Sequence, residues 1–188
     1  MPAQAEPPWR PTRQQLAAAA GATVPDLIGP DLKVLFCGIN PGLYSGAVRH
    51  HFARPGNRFW KALHLAGFTD RLLSPFEEAA LLPAGLGITN LVERATATAA
   101  ELSAEEIRAG AARLERKIGR HRPRFVAFLG MQAYRTSFGR PKAGIGPQPE
   151  AIGDTRLWLL PNPSGLQAHY QLPDLVAAFQ ALREAAGR

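Results

Sequence analysis

The chain has 188 residues, 46% of them hydrophobic and 20% charged, which is enough apolar material for one globular core. Its formal net charge of +7 favours polyanionic partners such as nucleic acid, with a solvated basic surface as the plain alternative. A single cysteine, Cys37, excludes an internal disulfide framework, a cysteine-ligated iron–sulfur cluster and a cysteine-built zinc site, and it reads as a small core residue. No window holds the roughly eighteen consecutive apolar residues of a membrane span. The apolar stretch from Leu16 to Ala22 is very short for the core of a signal peptide, so a cytoplasmic protein is expected.

Residues 1–10 are proline-rich with little periodicity and are expected to be a flexible tail ahead of one domain over 11–188. Thr12 is placed to cap a short helix reaching about Ala20. Lys33–Ile39 is an apolar run of strand length, and it leads directly into the turn Gly38-Ile39-Asn40-Pro41-Gly42. A basic and aromatic run follows (Arg49, His50, His51, Phe52), then a Pro55-Gly56 turn. Apolar residues at helical spacing over Arg58–Ala66 predict a helix stopped by Gly67.

Pro75–Leu82 reads as a further helix and Gly85–Leu91 as a short strand with its loop. Ser103 and Glu106 form a capping-box pattern for a helix to about Gly119. Arg124–Gly130 is strand-like, residues 139–150 are rich in Gly, Pro and basic groups and are expected as loop, Arg156–Leu160 is another strand, and Leu172–Ala185 closes as a helix. Strands alternating with helices imply a three-layer α/β/α sandwich with a mostly parallel sheet.

Three segments follow strand ends: 38–42, 89–94 and 162–166. In a parallel sheet such ends gather on one edge and line one crevice. Asn40 is not basic, but its carbonyl oxygen can orient a water, an activation that suffices where bond breaking runs ahead of attack, as in glycosidic cleavage. Equally, Asn40 can merely cap the turn. Phe52 suits stacking on an unpaired base or a place in the core. His50 and His51 suit phosphate or a base edge, and adjacent positions argue against a metal pair. Asn90 offers a donor and an acceptor side by side, suited to the edge of a nucleobase. Glu93, the only acid in these segments, suits water activation or charge support, or else a surface ion pair. Leu166, on a Pro/Gly loop with Asn162, Pro163, Ser164 and Gly165, can enter a base stack, or the loop can be an ordinary strand-to-helix turn. Arg10, Arg13, Arg135, Arg140 and Lys142 add unspecific phosphate attraction.

The segments VLFCGINPGL (34–43), PGNRFWKALHLAGF (55–68), GITNLVER (87–94) and LPNPSGL (160–166), in this order, resemble the mismatch-specific uracil/thymine DNA glycosylases. The resemblance implies a uracil-DNA-glycosylase sandwich that hydrolyses the N-glycosidic bond of uracil in double-stranded DNA, notably opposite guanine, after base flipping. It implies catalytic roles for Asn40 and Glu93, a substrate pocket of Gly38, Ile39, His51, Phe52 and Asn90, and DNA contacts from Asn162, Pro163, Ser164, Gly165 and Leu166. No lysine stands at a nucleophile position, so a monofunctional enzyme is implied. No metal and no cofactor are expected, and the partner is double-stranded DNA carrying uracil or a related damaged base, with the protein as a monomer and no membrane association. A catalytically silent damage-binding module and a free-nucleoside hydrolase are the competing readings. Asn40 argues against the first, and the lack of clustered carboxylates against the second.

Overall fold

The computed structural model describes residues 10–165 and 169–187. Five strands, β1 (Val34–Gly38), β2 (Leu86–Asn90), β3 (Phe125–Leu129), β4 (Gly146–Ile152) and β5 (Thr155–Leu160), form one sheet in the order β2-β1-β3-β5-β4. β1 pairs in parallel with both β2 and β3, and β3 with β5, whereas β4 runs antiparallel to β5 at the edge. Side chains alternate across a strand, and β1 shows the consequence. Val34 and Phe36 enter the layer with Phe59, Leu63, Phe179 and Leu182, while Leu35 and Cys37 enter the layer with Leu114, Ile118, Phe128 and Tyr134. The first layer is carried by α3 (Phe59–Leu65) and α6 (Leu172–Ala186), the second by α4 (Ala104–His121) and α5 (Met131–Phe138). This is the expected α/β sandwich with a mostly parallel sheet.

Local chemistry explains the element boundaries. Thr12 and Ser103 cap α1 (Arg13–Ala18) and α4 through reciprocal bonds with Gln15 and Glu106. Gly67, at φ +85, ends α3 where a left-handed residue is required. Burial at Ala111, Leu114 and Ile118 gives α4 its apolar stripe. Burial drives Cys37's thiol pKa well above its usual range, as befits a core residue.

The structure departs from the sequence expectation in two places. Residues 139–150 are not all loop: β4 begins at Gly146, with Pro147 and Pro149 tolerated because an edge strand has backbone groups that need no ladder partner. Pro75–Leu82 is the expected helix, of 3₁₀ type and extending to Ala84, with Pro83 inside it. Two unforeseen helices occur, α2 (Leu43–Val48) and α5, both entered from a glycine without a side-chain cap. Among the described residues, no helix is long and apolar enough to cross a membrane. The expected tail at 1–10 lies outside the described residues except for Arg10.

Candidate active site

β1 and β2 end side by side, with Gly38 and Asn90 as register partners. The loops beyond them are laced together: Leu91 N–H donates to the Gly38 carbonyl at 2.9 Å, Val92 N–H to Ile39 at 2.9 Å, and Thr96 N–H to Pro41 at 3.1 Å. The segment after β5 arrives beside them, held by Arg58. Arg58 N–H and its guanidinium donate to the Pro163 carbonyl, and the guanidinium also reaches the carbonyls of Ser164, at 2.8 Å, and Tyr170. Together these strand ends enclose a cavity of about 340 Å³. Its wall comes from residues 38–42, Ser45, His51, Phe52, Arg54, Asn57, Asn90, residues 96–100, Leu129 and residues 162–164. Among the described residues, that wall contains neither a lysine nor a carboxylate.

Asn40 is oriented by its donors. Its Nδ2 group donates to the Arg94 carbonyl at 3.0 Å and to Thr96 Oγ1 at 2.7 Å. Thr96 Oγ1 spends its own proton on the Thr98 carbonyl at 2.8 Å, so toward Asn40 it can only accept. Both amide hydrogens of Asn40 are thereby committed, which leaves Oδ1 as the group with acceptor capacity in the cavity wall. Arg94 is itself fixed by Glu106, with bonds of 2.6 and 3.1 Å, and these hold the Glu106 carboxyl at a pKa of about 2.

His51, only 2% exposed, fixes the second amide. A carbonyl can only accept, so the 2.9 Å contact to Pro25 places the imidazole proton on Nε2. Burial pushes the imidazole pKa below its usual value, against the pull of the nearby Glu78 carboxylate. The neutral ring then accepts at Nδ1 from Asn90 Nδ2, at 3.4 Å. Asn90 retains one amide hydrogen and its Oδ1, a donor and an acceptor side by side. A Cβ at Gly38 would stand 2.5 Å from that Oδ1 and 3.3 Å from the Phe52 ring, so the bare backbone there is what lets Asn90 and Phe52 close on the cavity.

Phe52 lies over Phe59 with ring centroids 4.2 Å apart, and Phe59 in turn meets the core ring of Phe36 at 5.4 Å. Its backbone φ of +51 is left-handed, a conformation that costs an aromatic residue about 1 kcal/mol or more and persists only where neighbours enforce it. Ser45 Oγ, accepting from Ala53 N–H at 3.0 Å, holds the chain just after it.

At the third strand end, Asn162 Oδ1 accepts from Ser164 N–H at 2.9 Å, and Gly165 packs so closely on the Gly56 carbonyl that a Cβ would meet it at 2.7 Å. Leu166 lies outside the described residues. Of the sequence candidates, Gly38, Ile39, Asn40, His51, Phe52, Asn90, Asn162, Pro163 and Ser164 share the cavity. Glu93 does not: its side chain is 55% exposed, and it faces Lys117 Nζ at 3.5 Å, the surface pairing that the sequence left open as an alternative. Thr96, Arg58 and Glu78 escaped the sequence reading because a hydroxyl, a guanidinium and a carboxylate announce nothing until their distant partners are adjacent.

The crevice at the carboxyl ends of the parallel strands is joined by a direct comparison: the model of the uracil DNA glycosylase superfamily matches residues 25–185. The chain belongs to the uracil DNA glycosylase superfamily. Membership makes it a DNA glycosylase, a hydrolase that acts on uracil in DNA. The matched span contains all three strand-end segments that build the cavity.

Proposed function

We propose that this glycosylase removes uracil from double-stranded DNA, notably from U·G mismatches, as a monofunctional enzyme that flips the base into the 340 Å³ cavity. The observation that carries the reading is the paired orientation of two amides, Asn40 by Arg94 and Thr96, and Asn90 by His51. The flipped base lies against Phe52, a stacking worth about 1–3 kcal/mol. Asn90 reads the N3–H and O4 edge with its Oδ1 and remaining N–H, a pattern that a carboxylate cannot offer. Bases in mismatches unstack at lower cost, which contributes to selectivity.

The absence of a carboxylate from the described wall supports a reaction in which the glycosidic bond opens well ahead of attack. Asn40 Oδ1 accepts a hydrogen bond from water and presents it to C1′ of the cationic sugar, while backbone N–H groups of the Gly38–Gly42 turn stabilise charge on the departing base. The absence of lysine from the described wall supports water rather than an amine as nucleophile. Glu93, on the surface with Lys117, is given no part in the chemistry. The loop through Asn162, Pro163 and Ser164 contacts phosphates, with Leu166 filling the vacated stack.

Single-turnover excision from U·G and U·A duplexes, with free deoxyuridine as control, tests this reading. Release from U·G DNA that drops by about a hundredfold or more in Asn40→Ala is the expected result, the scale of losing one group that acts only in the transition state. Tight mismatch binding without release from any duplex would instead identify a silent damage-binding module.

A further inference from the structure

The stacking residue Phe52 sits in a strained segment, and the structure contains a device that holds it from outside the cavity. We propose that Glu78 is a positioning residue for Phe52, a proposal that rests on the reading of Phe52 as the surface against which the flipped base stacks. Glu78 belongs to the 3₁₀ helix Pro75–Ala84, and its side chain is only 13% exposed. Its two carboxylate oxygens engage two successive residues: Oε2 accepts from His51 N–H at 2.9 Å, and Oε1 meets His50 Nδ1 at 3.0 Å. Phe76, two residues earlier on the same helix, packs on the His50 ring with centroids 4.9 Å apart.

The position of this clamp matters. Arg49 and Phe52 both have left-handed backbone, at φ +61 and +51, so the chain reverses sharply on either side of His50 and His51. Such a segment relaxes unless its middle is tied. Glu78 ties the middle, and Trp60 Nε1 adds a 3.3 Å bond to the His51 carbonyl from the core side. The adjacent Glu77 has a different task, capping the same helix at Ser74 and pairing with Arg71, so Glu78 is the carboxylate committed to the 50–52 segment. A carboxylate is suited to this because one rigid planar group can serve two sites at once. The clamp thereby fixes the backbone that carries the stacking ring, while the His51 imidazole has its own tie at the Pro25 carbonyl.

Coupling, rather than stability alone, is the test. Excision from a U·G duplex is measured under single turnover for the wild type, Glu78→Ala, Glu78→Asp, Glu78→Gln, Phe52→Ala and the Glu78→Ala/Phe52→Ala pair, with a melting curve for each. Glu78→Ala is expected to slow excision roughly tenfold, within the range of losing a base–aromatic stack. Glu78→Asp, one methylene shorter, loses the double reach and slows excision as well, so the test stands even where the alanine variant is too unstable to assay. Glu78→Gln restores most of the rate because its oxygen still accepts from His51 N–H. The double variant is expected to be no slower than Phe52→Ala alone, because a clamp has nothing left to position. Losses that multiply in the double variant, or folded Glu78→Ala and Glu78→Asp proteins with wild-type rates, overturn the proposal while leaving the glycosylase reading intact. A wild type that releases no uracil removes that reading and the proposal with it.

Discussion

Gly38 and Asn90 face each other across two parallel strands, with space for a hydrogen but not a methyl between them: a Cβ at 38 would stand 2.5 Å from Asn90 Oδ1. The amide and the Phe52 ring, 3.3 Å from the same point, meet only because this strand end carries no side chain. The first motif thus contributes an absence as well as Asn40.

Gly38→Ala should therefore act on the cavity rather than the fold. The methyl forces Asn90 or Phe52 aside, and a displacement of this size at a reacting centre costs on the order of a hundredfold in rate. Single-turnover excision is expected to fall by that order while the melting temperature moves by only a few degrees. A variant of wild-type rate would show that Asn90 and Phe52 need not occupy their observed positions.

Arg58 makes a separate prediction because its guanidinium donates to Pro163 and Ser164 before residues 166–168 and to Tyr170 after them. One planar fork serves carbonyls on both sides, which a lysine ammonium on a flexible stem cannot reproduce. Arg58→Lys and Arg58→Ala are both expected to weaken binding to a uracil-bearing duplex by about tenfold, consistent with losing hydrogen bonds to a charged donor of roughly 1.5–3 kcal/mol. Recovery of wild-type affinity in Arg58→Lys would reduce the role of this residue to charge alone.

Most of the sheet and the convergence of the three strand ends were legible in the sequence because they depend on local signals: apolar runs, glycines at their ends and capping pairs such as Ser103 with Glu106. The misses have equally definite causes. β4 puts Pro147 and Pro149 at exposed positions that alternate with half-buried ones, a pattern that reads as loop unless the strand is known to sit at an edge. α2 and α5 begin at Gly42 and Gly130 without a capping side chain, so no start signal exists. Glu93 lies within an informative motif, yet its fate is set by Lys117, 24 positions away. Thr96 and Glu78 act only through tertiary contacts, which periodicity does not carry.

His51 predicts an acid limb. Its folded pKa is depressed by burial, so the unfolded chain takes up a proton more readily than the folded one. The stability contributed by the neutral ring is fully present above the ordinary imidazole value of about 6.5 and is lost as pH falls below it. Excision should decline at lower pH than stability does, as pH falls through the depressed folded pKa, because a proton on Nδ1 removes the acceptor for Asn90. With both followed from about pH 7.5 to about pH 5, melting temperature is expected to begin falling first and the single-turnover rate to follow it in the wild type. In His51→Gln both curves should flatten over that range, with a lower rate throughout. An unchanged acid limb in the variant would assign it to another group.

Thr96 separates orientation of the water-holding amide from its mere presence. Its hydroxyl gives its hydrogen to the Thr98 carbonyl and so can only accept from Asn40 Nδ2. Thr96→Val keeps the shape and the buried apolar methyl but deletes that acceptor, leaving one Asn40 N–H unpaired in a largely enclosed place. The amide can then turn, exchanging Oδ1 and Nδ2 at the cavity wall, and in the turned state it donates to water instead of accepting. A loss of roughly tenfold to a hundredfold in single-turnover rate is expected, with little change in duplex affinity, because the interaction acts on the reacting water and not on the bound DNA. Thr96→Ser, which restores the acceptor and its route to Thr98, should recover most of the rate. Equal losses in the valine and serine variants would mean that packing of the Thr96 methyl, and not the polarity of the Asn40 to Thr96 to Thr98 chain, supports the reaction.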